Sequence, residues 1–165
     1  MELKTTEIQN LIDTKKNTDG VCEIANDNAD GQVIVSGDKQ SITRFQDLLK
    51  SKNIKSIPLK VSAPFHCLLM KPAADNMRDK INNTNFNTPK IKIINNVTAK
   101  PEENIDKIKK LLVDQIYSTV RWRESLINMH NDGVNNFIEI GPGKVLTGMA
   151  KRTIKGANYF SINSV

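Results

Sequence analysis

A mixed α/β fold, with helices and strands interleaved along the chain, is predicted by three stretches of hydrophobic patterning. In the first, Ile57-Pro58-Leu59-Lys60-Val61-Ser62 alternates apolar with polar residues as a half-buried strand does, and from there Leu69, Met70, Ala73, Met77 and Ile81 recur at helical spacing. In the second, the strand-like runs 21–25 and 32–36 lie between two helical stripes, Leu3, Ile8, Leu11 and Ile12 before them and Ile42, Phe45, Leu48 and Leu49 after. In the third, Phe137-Ile138-Glu139-Ile140 passes through Gly141-Pro142-Gly143-Lys144 into the helical positions Val145, Leu146 and Met149.

The first sixty residues read helix, strand, strand, helix, strand. A polar turn, Asn17-Thr18-Asp19-Gly20, follows the opening helix, and the turn formers Asn26-Asp27-Asn28-Ala29-Asp30-Gly31 separate the two short strands. Gly37-Asp38 breaks the second strand, and the next helix ends about Lys52. This order is a split βαβ sandwich without its first strand, which leaves one edge of a small sheet open.

Pro64 biases Ala63 away from helix, and Pro72 is tolerated in the first turn of the helix that follows, so His66 is expected at a strand-to-helix junction. At the positive end of a helix the neutral imidazole is the favoured form, and a neutral ring is what a general base needs. A histidine that merely closes a boundary is the plainer alternative.

Beyond that helix, Phe86-Asn87-Thr88-Pro89 reads as a turn and 91–94 as a strand ending at Asn95-Asn96, while Pro101 with Glu102 and Glu103 is expected to open a helix. Its stripe is Ile105, Ile108, Leu111, Leu112 and Ile116, with Gln115 on the same face. A buried amide must find partners, so Gln115 either satisfies a local turn or orients another polar group. Trp122, Leu126 and Met129 mark the buried face of a further helix, on which His130 is a boundary residue. Gly141-Pro142-Gly143-Lys144 fits neither the P-loop nor the dinucleotide fingerprint and is read as a tight turn that aims a helix.

Composition narrows the function classes. The 165 residues suffice for one domain or two small ones, and 38% hydrophobic with 25% charged residues describes a soluble globular chain without a run of the roughly twenty apolar residues that span a bilayer. The N-terminus carries neither a signal core nor a transit pattern, so a cytoplasmic setting is expected, with Cys22 and Cys67 reduced. Side chains adjacent in sequence usually point apart, which argues against Cys67 as a nucleophile served by His66. The net charge of +6 asks for an acidic partner. With only 5% aromatic residues and no paired strand motif to stack bases, nucleic acid is disfavoured. The clusters Lys107, Lys109 and Lys110, and Lys144, Lys151, Arg152 and Lys155, form either a solvated basic face or a docking face for an acidic protein.

Taken together, the residues Ser62-Ala63-Pro64-Phe65-His66, Pro72-Ala73-Ala74, Asn95-Asn96-Val97, Gln115 with Tyr117, Val120 and Trp122, and Glu139-Ile140-Gly141-Pro142-Gly143-Lys144-Val145-Leu146 resemble, in that order, the malonyl-CoA:acyl carrier protein transacylase family. The resemblance covers the C-terminal half of the family pattern. No counterpart is found of the GQGxQ segment, the GHSxGE nucleophile elbow or the arginine that receives the malonyl carboxylate, and no GxSxG occurs in the chain; Ser36 and Ser62 lie in unsuitable contexts. The implied fold is α/β in the mixed α+β sense, with residues 1–62 an incomplete ferredoxin-like small subdomain and 63–165 the C-terminal portion of the large, α/β-hydrolase-like acyltransferase subdomain.

What the resemblance implies is malonyl transfer in fatty acid biosynthesis, from CoA to acyl carrier protein through an acyl-serine. His66 matches the catalytic histidine, and Gln115 the position whose backbone carbonyl orients that imidazole. Phe65 matches a residue that narrows the pocket against an α-methyl branch. Asn28 and Gln32 fall in an Asn-x-Asn-Ser-Pro-x-Gln segment near the site, with Ala29 and Asp30 replacing Ser-Pro. The implied substrates are malonyl-CoA and phosphopantetheine-bearing acyl carrier protein, with no metal or other cofactor and with neither nucleic acid nor membrane as partner. Holding the base without the nucleophile, the chain by itself is expected to be inactive. Three origins are open: a truncated or split reading frame, one half of a two-chain enzyme whose separate N-terminal half carries the serine, or a non-catalytic remnant, a basic module that binds acyl carrier protein or that half.

Overall fold

The computed structural model describes residues 3–14 and 20–163, so the turn expected at 17–19 lies outside the described residues. In chain order the elements are helix α1 (Thr5–Asp13), strands β1 (Cys22–Ala29) and β2 (Gln32–Gly37), helix α2 (Lys39–Ser51), a 3-10 turn (Leu68–Met70) and helix α3 (Lys71–Asn83). Strands β3 (Ile93–Ile94) and β4 (Pro101–Glu102), helices α4 (Ile105–Asp114) and α5 (Trp122–Asn131), strand β5 (Asn136–Ile140), helix α6 (Val145–Thr153) and strand β6 (Asn158–Ile162) follow. The mixed α/β class read from the sequence holds. The strands form three pairs, β1–β2 and β3–β4 antiparallel and β5–β6 parallel.

Two hydrophobic clusters organise these elements. Ile12, Ile24, Phe45 and Leu49 join the apolar faces of α1 and α2 to the β1–β2 pair, and Leu126, Ala150 and Ile154 join α5 to α6, with Trp122, Phe137 and Tyr159 around them. A buried aliphatic or aromatic side chain contributes about 1.5–3 kcal/mol, so the spacing of these residues decides which helix faces turn inward. Phe137 and Tyr159 stack across β5 and β6 with ring centroids 5.7 Å apart.

Local chemistry sets the ends of α2. Asp38 caps its start, accepting hydrogen bonds from the Ser41 and Val21 amides at 2.9 and 2.6 Å. Gly37 is required beside it, because a Cβ there would stand 1.9 Å from the Val21 carbonyl oxygen. At the other end Asn53 enters the left-handed region (φ 56°), its amide donates to the Lys50 carbonyl, and the Ile54 amide reaches back to the Leu49 carbonyl at 2.9 Å. That is a Schellman closure, with Ile54 folded onto the Leu49 cluster as its hydrophobic contact.

Four sequence expectations are corrected. Strand β1 runs on through Asn26-Asp27-Asn28 to Ala29, and only Asp30-Gly31 turns, because Asn26 and Asp27 pair with Ile34 and Val33 across two bulges. The strand expected over 57–62 joins no ladder among the described residues; Ile57, Leu59 and Val61 are 71%, 56% and 62% exposed, since alternation makes a strand only where an edge receives it. Of the strand expected at 91–94, only Ile93 and Ile94 are paired, with Glu102 and Pro101. Those last residues therefore form a strand, and the helix starts later, at Asn104, whose side chain accepts from the Lys107 amide at 2.9 Å. Strand β6, whose Asn158-Tyr159-Phe160-Ser161-Ile162 lacks the clear alternation of 57–62, has no counterpart among the sequence expectations.

One contact region ties β1 to the chain a hundred residues on. The Asp27 amide donates to the Val120 carbonyl and the Val120 amide to the Ala25 carbonyl, at 2.9 and 2.8 Å. Arg123 on α5 forks onto both oxygens of the buried Asp27 at 2.9 and 2.8 Å. No helix among the described residues is long and apolar enough to cross a membrane.

Candidate functional site

His66 lies in a tight, left-handed turn. Its φ of 57° is a conformation that costs an L residue about 1–2 kcal/mol, so neighbouring contacts must hold it. The Phe65 amide donates to the Ala63 carbonyl at 3.0 Å, the fully buried Cys67 donates its thiol to the Pro64 carbonyl at 3.2 Å, and the Leu68 amide donates to the Glu23 carboxylate at 2.9 Å.

The ring is fixed by its Nδ1, 3.0 Å from the backbone carbonyl oxygen of Gln115. A carbonyl can only accept, so Nδ1 carries the proton, and in the neutral ring Nε2 keeps its lone pair for another proton. Gln115 is the C-cap of α4; the last four carbonyls of a helix have no intrahelical partner, which leaves this one free for the imidazole. The Gln115 side chain also accepts a long hydrogen bond, 3.4 Å, from Asn96. The backbone carbonyl of Gln115 thus meets the ring, while its side chain meets Asn96 and, among the described residues, no local turn.

The helix-dipole expectation for His66 is corrected. The 3-10 turn separates the ring from Lys71, where α3 begins, and the helix end that touches Nδ1 is the carbonyl end of α4. What holds the imidazole is thus an acceptor at the negative end of a helix.

The other expected site residues are more scattered. Phe65 adjoins His66 and is 46% exposed. Asn28 is buried on β1, and among the described residues no hydrogen bond joins it to His66. Gln32 instead accepts from Arg152 of α6. His130, the expected boundary residue, sets its Nδ1 3.1 Å from the Val134 carbonyl just past the end of α5.

The two cysteines are free. Cys67 is sealed from solvent, and burial, with Asp38 nearby, pushes the Cys22 thiol up to about 11, far from a reactive thiolate. Gly141-Pro142-Gly143 does not hold an open phosphate cradle, because the α6 amides of Leu146 and Thr147 already donate to the Glu139 carboxylate at 3.1 and 2.7 Å. Hydrogen bonding from the Thr147 side chain first, and then from these amides, holds the Glu139 carboxyl below its ordinary range. Glu23 and Arg123 escaped the sequence reading because their partners lie 45 and 96 residues away. The signal available for them was an acidic residue on the polar face of a strand and a cation beside Trp122.

Comparison with known proteins places this geometry in a class. Residues 6–165 match the acyl transferase domain family, and the chain belongs to that family. It is 42% identical over 146 residues to the malonyl CoA-acyl carrier protein transacylase of Haemophilus influenzae, covering 88% of this chain and 47% of that protein. The Bacillus subtilis protein of the same name is 38% identical over 150 residues, covering 90% and 44%. Among solved structures, an acyl carrier protein S-malonyltransferase from Vibrio cholerae superposes with a TM-score of 0.93 at 40% identity, over 99% of this chain and 53% of that one. A malonyl-transacylase solved with its type II PKS acyl-carrier protein gives 0.90 at 34% identity, over 99% and 53%. The chain spans about half the length of these relatives.

Proposed function

We propose that this chain supplies the base-bearing half of an enzyme that transfers malonyl from CoA to acyl carrier protein in fatty acid biosynthesis. The observation that carries the proposal is the His66 ring, fixed through Nδ1 by the Gln115 carbonyl with Nε2 left to exchange protons.

In this reading a serine from the other half of the fold, whether in a longer chain or a separate one, donates its proton to Nε2 as its oxygen attacks the malonyl thioester carbon. The C–S bond breaks, the Nε2 proton goes to the departing CoA sulfur, and a malonyl-serine ester remains. The pantetheine thiol of the carrier protein then gives its proton to Nε2 and attacks the ester, and that proton returns to the serine oxygen. The Gln115 carbonyl stabilises the imidazolium formed in each half. By the resemblance, Phe65 beside the histidine would narrow the acyl pocket and Asn28 would serve substrate binding. The substrates carry the chemistry with no further cofactor, in a cytoplasmic setting.

The test is transfer of radiolabelled malonyl to acyl carrier protein. The chain alone should transfer nothing; mixed with the N-terminal half of a relative such as the Haemophilus protein, it should transfer malonyl and lose that ability with His66→Ala. Turnover by the chain alone, or turnover of the mixture that ignores His66→Ala, would overturn the proposal.

A further inference from the structure

Three hydrogen bonds hold the left-handed turn at His66, and two of them are local, spanning residues 63–67. The third comes from far away in sequence, where the Leu68 amide donates to Glu23 on β1 at 2.9 Å. Leu68 opens the 3-10 turn, so its N–H has no partner within that turn. Strand alternation explains why Glu23 can reach it: Cys22 and Ile24 face the α1–α2 cluster, which turns Glu23 to the opposite side of the strand. The strand itself is braced, by pairing along β2 and by the Val120 amide bonded to the Ala25 carbonyl.

We infer that Glu23 is a positioning residue for His66. Its carboxylate pins the peptide two residues after the histidine, fixes the left-handed turn, and so sets where the ring meets the Gln115 carbonyl. The functional meaning of this role rests on the acyl-transfer reading above, whereas its test reads the ring itself.

The measurement is NMR on the full chain, recording the imidazole nitrogen signals of both histidines and the exchange of the Leu68 amide. His130, whose Nδ1 faces the Val134 carbonyl, serves as the internal reference. Glu23→Ala, and Glu23→Asp, which is one methylene too short, should speed Leu68 exchange about tenfold and shift the His66 ring signals away from the Nδ1–H form while His130 stays unchanged. Glu23→Gln, which keeps both length and acceptor, should restore the wild-type signals. Should Glu23→Ala fail to fold, the contrast between Gln and Asp decides on the same readouts. His66 signals that do not move in the Asp variant, or that move only together with those of His130, would overturn the inference. Failure of the acyl-transfer reading would appear in the transfer assay and leave these ring signals as they are.

Discussion

At Asp38 a single carboxylate joins the start of α2 to the start of β1, accepting from the Ser41 and Val21 amides. These hydrogen bonds, led by those from Ser41, hold its carboxyl well below the ordinary 3.8, at about 2. The sign follows directly: the unfolded chain binds this proton more tightly, so the carboxylate's contribution is complete above the ordinary aspartate range and is lost as pH falls toward 2. Thermal melts between about pH 5 and about pH 2 should show a steeper loss of Tm in the wild type than in Asp38→Asn, which keeps the Ser41 bond at the helix start, gives up the Val21 bond and does not titrate. Parallel slopes would show that the cap's charge does not matter. His66 presents a different case at the same scale. Its identity as a candidate was legible from Ser62-Ala63-Pro64-Phe65-His66, whereas its left-handed backbone and the reach of Glu23 were not, since neither a dihedral angle nor a contact across 45 residues leaves a local pattern.

Among the elements, α2 is the one whose two ends are both explained by side chains on the page. Its C-terminal closure needs a residue that tolerates φ 56°, which asparagine does and a β-branched residue does not. Asn53→Val should therefore cost about 1–2 kcal/mol in chemical denaturation, and Asn53→Gly should cost nothing. A silent Asn53→Val would mean that the turn can rearrange without the Ile54-to-Leu49 bond. Helices α1, α2 and α5 were legible because their stripes contain buried residues, Ile12, Phe45 with Leu49, and Leu126, whereas on α3 the expected Met77 is exposed and Ala74 is the buried residue. Strands were less so. Asn26-Asp27-Asn28 carries turn-forming residues, yet it is strand because Asp27 satisfies its charge on Arg123 and its amide on Val120. Pro101 has the position of a helix opener, but Asn104 is the better cap, and Pro101 lies in a two-residue ladder. The run 57–62 has the pattern of a strand yet joins no ladder among the described residues.

For the molecule as a whole, that last feature recurs. Parallel strands are ordinarily covered on both faces, yet on β5–β6 Ile138, Ile140, Phe160 and Ile162 are 58%, 76%, 53% and 46% exposed. A contiguous apolar surface of this kind marks an interaction site, and the chain spans about half the length of relatives that share its fold. In the function proposed above, this surface would meet the half of the fold that carries the serine, and the central claim is that His66 activates that serine. Intact-protein mass spectrometry after rapid quenching tests this most directly, by following malonyl-ester formation on the N-terminal half once malonyl-CoA is added to the reconstituted pair. The ester should form quickly with the wild-type chain and about 10²- to 10⁴-fold more slowly with His66→Ala. An ester that forms at the same rate with either chain, or on this chain instead of its partner, would contradict the claim.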